Sequence, residues 1–111
     1  MVEFVEFVEK VHVLINDGDV LISEHGYDEL AEDGLTAREI LGGISEALVV
    51  EEYPKYPKGP CVLLLQKDIT GAPIHVVWGI PKGHDKPVVL VTAYRPDPGR
   101  WDHSFTRRLK R

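Results

Sequence analysis

Four apolar runs in the second half of the chain, joined by short connectors, constrain the fold more than any other feature. Each run is rich in valine, leucine, isoleucine or aromatic residues, a composition typical of β-strands. The predicted strands are residues 48–53, 61–67, 74–80 and 88–95. The proline- and glycine-rich connectors between them are too short for the crossover helix that parallel neighbours require. The sequence therefore predicts a four-stranded antiparallel sheet.

The first half of the chain has helical periodicity instead. Ser23 is placed to cap a helix that ends near Gly34, and residues 36–39 form a capping box that begins a short further helix. Before them, apolar residues at helical spacing predict an amphipathic helix that ends at residues 16–19. These apolar residues are Phe4, Phe7, Val8, Val11 and Ile15. Because helices precede strands, we expect an α+β domain with two to three N-terminal helices on one face of the sheet.

The C-terminal segment leaves two alternatives open. Trp101, Phe105 and Leu109 recur at every fourth position, which predicts a short C-terminal helix docked through Trp101. The other alternative is a solvated basic tail, above all for residues 108–111.

Size and composition limit the class of protein. A chain of 111 residues is expected to form a single domain, residues 1–111. Its one cysteine, Cys61, cannot form an intramolecular disulfide, and we expect neither a metal site nor a cofactor. No apolar run approaches the roughly 20 residues of a membrane span, and the acidic start is unlike a signal peptide. These features favour a cytoplasmic protein without membrane contact.

The net charge of −5 conceals a steep asymmetry along the chain. Residues 1–53 contain two basic and fourteen acidic side chains, a balance of −12, whereas residues 54–111 contain eleven basic and four acidic ones, a balance of +7. If the two halves form separate surfaces, the sheet would be positive and would attract phosphates. The alternative is that the opposite charges intermingle on the folded surface.

Two of the five histidines stand out as candidates for acid–base chemistry. His25 follows Ser23 in the first turn of a predicted helix. His75 lies in a predicted strand, where alternation sends it to one face and its neighbours Ile74 and Val76 to the other. If that face is open, His75 is available to a substrate; if the helices cover it, His75 is a core histidine. The other three histidines are interpreted as structural or surface residues.

Polar residues near strand ends are weaker candidates. Tyr94 and Arg95 end the last predicted strand; a tyrosine there can stack on a base, and an arginine can neutralise a phosphate. Glu51 and Tyr53 end the first predicted strand and share a face.

Several short motifs together resemble a known family. They are residues 23–25 (Ser-Glu-His), 34–36 (Gly-Leu-Thr), 49–54, 71–77 and 91–97. In this order they resemble small prokaryotic domains of unknown function that are related to the RelE/ParE toxin superfamily. Members are often encoded beside a YgiT-type zinc-finger antitoxin. The resemblance runs from about Ile22 to Trp101.

The resemblance implies a RelE-like fold and metal-independent cleavage of mRNA in a toxin–antitoxin system. His25 and His75 match the motif histidines and would supply the acid and the base, while Tyr94 would position the substrate. Arg95 or the tail arginines Arg100, Arg107 and Arg108 would offset the phosphate charge. One departure is that residues 27–34 are acidic where the family usually has a basic residue, and this would repel RNA.

Two other functions stay open. One is a non-catalytic module of the same fold that binds a protein partner through its acidic helices or an exposed sheet edge. The other is a degenerate relic in which both histidines only pack.

Overall fold

We describe the protein from a computed structural model that covers residues 2–109, with side chains from Glu6 onward. Three helices precede most of the sheet, as predicted. In chain order the elements are α1 (Val2–Asp17), β1 (Val20–Ile22), α2 (Glu24–Glu32), α3 (Ala37–Gly42), a 3-10 turn (Ile44–Glu46), β2 (Leu48–Tyr53), β3 (Cys61–Lys67), β4 (Pro73–Gly79) and β5 (Val88–Tyr94). The side chain of Phe4, which was predicted to face the core, lies outside the described side chains. The tail residues Lys110 and Arg111 lie outside the described residues.

The sheet contains five strands in the order β1-β5-β4-β3-β2. Strands β2 to β5 form the predicted antiparallel meander. The prediction of a purely antiparallel, four-stranded sheet is wrong, because β1 pairs in parallel with β5, with Val20 opposite Val88. Three residues are too few to show a period-two pattern, and only the fold brings them to the open edge of β5, where backbone groups need partners.

Side-chain caps begin two of the helices at the predicted residues. The Ser23 hydroxyl accepts a hydrogen bond from the Gly26 amide at 2.9 Å, and the Thr36 hydroxyl accepts one from the Glu39 amide at 3.1 Å. Each cap satisfies an amide that has no partner within its helix.

The hydrophobic core lies between the helices and one face of the sheet. Trp78 of β4 is fully buried there with Ile74 and Val76. The buried Gln66 side chain joins the two layers, since it accepts from the Trp78 indole at 3.0 Å and donates to the Ile40 carbonyl at 2.8 Å. All three helices therefore cover one face and leave the other, which we call the helix-free face.

Over its described residues the C-terminal segment forms no helix, and we call residues 97–109 the C-terminal strap. Arg108 and Leu109 at its end are exposed, as the alternative of a solvated tail expects, and Lys110 and Arg111 lie outside the described residues. Trp101 is buried and pairs with Arg108 in an isolated antiparallel bridge. The Asp102 carboxylate accepts from the Thr106 and Arg107 amides at 3.2 and 3.3 Å. Side-chain capture of these amides favours a turn over a helix, which explains why the predicted helix does not form although Trp101 docks.

Within the described part of the chain, none of the helices combines the length and the apolar character needed to cross a membrane.

Gly26 allows α2 to lie against β5. A Cβ atom there would meet the Leu90 carbonyl oxygen at 2.9 Å and the Ser23 hydroxyl at 3.1 Å, whereas a Cβ at Gly42 of α3 would meet nothing within 4 Å. We expect Gly26→Ala to lower the free energy of unfolding by about 1–3 kcal/mol because the helix must move. Gly42→Ala is the matched control and should change it by less than about 1 kcal/mol in either direction. Urea unfolding of the two variants measures the difference, and equal values would show that this close packing has no energetic weight.

Candidate functional site

His75 lies on the helix-free face, and the C-terminal strap buries it there. Its cross-strand partners are Leu65 of β3 and Tyr94 of β5. The ring is fully buried and forms two hydrogen bonds, from Nδ1 to the Tyr94 hydroxyl at 3.3 Å and from Nε2 to the Phe105 carbonyl at 2.8 Å. The residue is therefore neither open to solvent nor covered by the helices.

These two partners define the protonation of His75. A carbonyl oxygen can only accept, so Nε2 carries the hydrogen and donates it to Phe105. Burial lowers the pKa of His75 below its ordinary value of 6.5, which favours the neutral ring at pH 7. In the neutral ring Nδ1 accepts from the Tyr94 hydroxyl.

A second group of polar side chains stands beside His75. The Glu51 carboxylate accepts from Arg108 of the strap through Nε at 2.6 Å and Nη2 at 3.1 Å, and it also accepts a short hydrogen bond from the Tyr53 hydroxyl. The hydrogen bond from Arg108 lowers the pKa of Glu51. Burial and the hydrogen bond to Glu51 raise the pKa of Tyr53 to about 12. At neutral pH Glu51 is therefore a carboxylate and Tyr53 a protonated phenol.

Trp101 connects the two groups. Its ring meets the His75 ring edge-on with centroids 4.5 Å apart, and the Arg108 guanidinium carbon lies 4.7 Å from its centroid, close enough for a cation–π contact. We call Glu51, Tyr53, His75, Tyr94, Trp101 and Arg108 the His75 cluster.

An open groove of about 710 Å³ adjoins this cluster on the helix-free face. Its floor is largely apolar and includes Cys61, Val77 and Gly79, whose side chains or Cα atoms share a face with His75. Polar and basic groups stand among the remaining lining residues: His25, Tyr53, Tyr56, Lys58 and Thr92. Tyr53 lines the groove and also donates to Glu51, so the groove leads to the cluster.

The structure brings together five of the residues singled out in the sequence: Glu51, Tyr53, His75, Tyr94 and Arg108. His25 lies apart from them on the groove lining, exposed, with Nε2 3.8 Å from the Glu29 carboxylate.

The other three arginines that were predicted to bind the substrate, Arg95, Arg100 and Arg107, lie outside the cluster. Arg95 pairs with Asp68 at 2.8 Å, and Arg100 lies 3.8 Å from Asp97. Arg107 is exposed, and its carbonyl accepts from the Asp102 amide.

Sequence reasoning missed Tyr56 and Lys58 and gave Trp101 only a docking role. Both missed groove residues lie in the connector between β2 and β3, within the run Pro-Lys-Tyr-Pro-Lys at 54–58. Alternating aromatic and basic residues in a short loop were the available signal, since loops often carry binding residues.

Comparison with known proteins gave one match. A family model described as Domain of unknown function (DUF4258) matches residues 22–95. No curated protein and no solved structure matched the chain. The matched region includes Glu51, Tyr53, His75 and Tyr94 and stops before the C-terminal strap.

The lowered pKa of His75 predicts a pH dependence of stability. As the pH falls below about 6.5, the unfolded chain binds a proton at this histidine while the folded chain does not, so the free energy of unfolding decreases. We expect the free energy of unfolding to decrease as the pH is lowered from 7 to 5.5, and this decrease should be smaller in His75→Gln than in wild type. His103→Gln, at an exposed residue of the strap, is the control and should keep the wild-type slope. Chemical unfolding at several pH values provides the measurement, and identical slopes in all three proteins would contradict the assignment.

Proposed function

The chain belongs to the DUF4258 family, whose description names no activity. From the site, and from the motif resemblance to the RelE/ParE toxin superfamily, we propose that it is a metal-independent endoribonuclease of that type. In this proposal it cleaves single-stranded mRNA by general acid–base catalysis. The nucleophile is the ribose 2′-hydroxyl adjoining the scissile phosphate.

The observation that carries the proposal is the convergence of the His75 cluster. Its members come from β2, β4, β5 and the C-terminal strap, and they combine a carboxylate, two phenols, an imidazole and a guanidinium. A fold that buried its sheet only for stability would gain more from apolar side chains at these positions. Removing the 2′-hydroxyl proton requires a base, and the departing oxygen requires an acid; both chemical types are present side by side.

Glu51 is the base in this proposal. The hydrogen bond from Arg108 lowers its pKa in the structure. When Arg108 moves away, Glu51 is a stronger base and can accept the 2′-hydroxyl proton. The 2′-oxygen then forms a bond to phosphorus, and the bond from phosphorus to the 5′-oxygen breaks. The products are a 2′,3′-cyclic phosphate and a free 5′-hydroxyl.

Tyr53 is the acid. Its raised pKa keeps the phenol protonated, and it gives this proton to the departing 5′-oxygen. The hydrogen bond that joins Tyr53 to Glu51 then returns the proton from the carboxylic acid to the phenolate. This transfer is downhill because the phenol has by far the higher pKa, and it restores both groups for the next turnover.

His75 and Tyr94 act on the phosphate. Tyr94 donates to Nδ1 and thereby holds the hydrogen of His75 on Nε2. A neutral imidazole with a fixed N–H is a directed donor to a phosphate oxygen that gains charge in the transition state. His75 is thus an electrophilic residue here rather than the acid or the base.

The adjoining groove accommodates the flanking nucleotides. Aromatic side chains stack on bases with little sequence preference, and cations follow the phosphates. Tyr56 supplies the exposed ring, and Lys58 and His25 supply the basic groups on the groove lining. The acidic residue Glu29 beside His25 weakens the attraction at that end.

The biological role that we propose is the toxin of a type II toxin–antitoxin pair. The support is the resemblance of the sequence motifs and a helical layer that leaves one face of the sheet free. The proposed partner is a YgiT-type zinc-finger antitoxin encoded by an adjacent gene.

A non-catalytic protein-binding module is the second candidate function. The observation in its favour is β2, which forms an outer edge of the sheet and exposes Leu48 by 57% and Val49 by 43%. An exposed strand edge can pair with an extended segment of a partner.

We expect purified protein to cleave single-stranded RNA in the presence of EDTA, and Glu51→Gln to slow cleavage about 100-fold or more because the base is lost. Glu52→Gln is the matched control, since Glu52 is the exposed neighbour on the other face of β2, and it should retain the wild-type rate. Gel analysis of a labelled oligonucleotide measures both. Absence of cleavage both by wild type and by Arg108→Gln, in which the pair with Glu51 is broken, would refute the nuclease and favour the protein-binding module.

A second experiment addresses the groove. We expect Tyr56→Ala to weaken binding of a short oligonucleotide by about 5- to 150-fold, since base stacking contributes about 1–3 kcal/mol per ring. Tyr27→Ala, which removes a similarly exposed tyrosine of α2 that does not line the groove, should leave the affinity unchanged. Fluorescence anisotropy at fixed salt gives the dissociation constants, and equal losses in both variants would argue against the groove as the RNA site.

A further inference from the structure

We propose that the C-terminal strap is an autoinhibitory lid that holds the His75 cluster in an inactive state. This inference rests on the proposed function, because it concerns the regulation of the same site. The strap blocks two groups of the proposed mechanism: Glu51, which is the base, and His75, which donates to the phosphate.

The first block is at His75. The Phe105 carbonyl oxygen accepts the Nε2 hydrogen at 2.8 Å, so it occupies the position that a phosphate oxygen would take. Phe105 reaches this position with a φ of 61°, in the left-handed region that is uncommon for a residue with a side chain. A backbone carbonyl thus stands where the substrate must bind.

The second block is at Glu51. Arg108 donates to this carboxylate through two nitrogens, while Tyr53 donates a third hydrogen bond. These donors occupy three of the roughly four lone-pair positions of the carboxylate, and the positive charge of Arg108 makes the carboxylate a weaker base toward an incoming hydroxyl group. Release of Arg108 frees the base and leaves the hydrogen bond to Tyr53 in place.

The strap is built so that it can detach as a unit. Its backbone hydrogen bonds are internal, as between the Asp102 amide and the Arg107 carbonyl and between the Leu109 amide and the Arg100 carbonyl, both 2.9 Å. Among the described residues, the hydrogen bonds from the strap to the sheet are those of Phe105 with His75 and of Arg108 with Glu51. Opening therefore leaves the ladder between β4 and β5 intact.

The strap is attached by one weak and one strong contact. The Arg108 side chain is 60% exposed, and ion pairs at such exposure contribute little to stability. The Trp101 ring is buried and contacts His75 edge-on, and burial of a large aromatic ring is the stronger contact.

The extent of the family match separates the strap from the site that it covers. The family model spans residues 22–95, which include Glu51 and His75 but none of the strap. Glu51 and His75 therefore lie within the matched residues, whereas the segment that covers them lies outside.

The test compares full-length wild type with Arg108→Gln, which breaks the pair with Glu51, and with Arg38→Gln as a control. Arg38 is exposed on α3, so the control removes the same charge from the helical side. We expect Arg108→Gln to cleave RNA in EDTA about fivefold faster than wild type, since the ion pair between Arg108 and Glu51 is exposed and its loss changes the stability of the closed strap only modestly. Arg38→Gln should cleave at the wild-type rate. Acrylamide quenching of tryptophan fluorescence should rise in Arg108→Gln alone, because Trp78 is fully buried in the core and only Trp101 becomes accessible.

Trp101→Ala is a second variant that opens the strap without changing any charge, and it should also cleave faster. Unchanged or slower cleavage in both Arg108→Gln and Trp101→Ala, with an active wild type, would overturn the lid while the nuclease stands. Absence of cleavage in wild type and in both opened variants would instead overturn the proposed function and the inhibition with it.

Discussion

The rest of the structure depends on the two-residue alternation of β4. Successive side chains of a strand point to opposite faces, so Ile74, Val76 and Trp78 enter the core under the helices, and His75 must lie on the other side. The helices cover the apolar face of β4 and shield it from water. They leave the opposite face of the sheet, the helix-free face, without a helical layer. The polar cluster and the groove both occupy that face.

Burial and pairing give the cluster its chemical character. The pKa of Glu51 is lowered because its carboxylate accepts hydrogen bonds from Arg108. The pKa of Tyr53 is raised because its phenol is shielded from water. The same environment keeps His75 neutral. The strap supplies the hydrogen bond that lowers the pKa of Glu51 and covers the buried His75 ring, so movement of the strap also changes the proton affinity of these two groups.

The helix caps at Ser23 and Thr36 and the antiparallel meander were predictable because each depends on neighbours in sequence. The pairing of β1 with β5 was not predictable, since Val20 and Val88 are far apart in the chain and three residues carry no periodic signal. For the tail, docking through Trp101 as a helix was one of two alternatives, the other being a solvated end. Its turn depends on hydrogen bonds to the Asp102 side chain that compete with a helix. The groove residues Tyr56 and Lys58 gave only a compositional signal.

The sequence by itself determined the class of the domain, the caps, the alternation that separates His75 from Ile74 and Val76, and the identity of several polar candidates. These features follow from local propensity and from strand alternation, which act over a few residues. Which face of the sheet carries His75 was decided by the tertiary structure. Only the tertiary structure decided that Tyr94 bonds to His75, that Arg108 bonds to Glu51 beside Tyr53, and that Trp101 connects the two groups. It also placed His25 apart from them on the groove. Such contacts depend on the register between strands and on the path of the strap, which distant packing sets and local sequence does not encode.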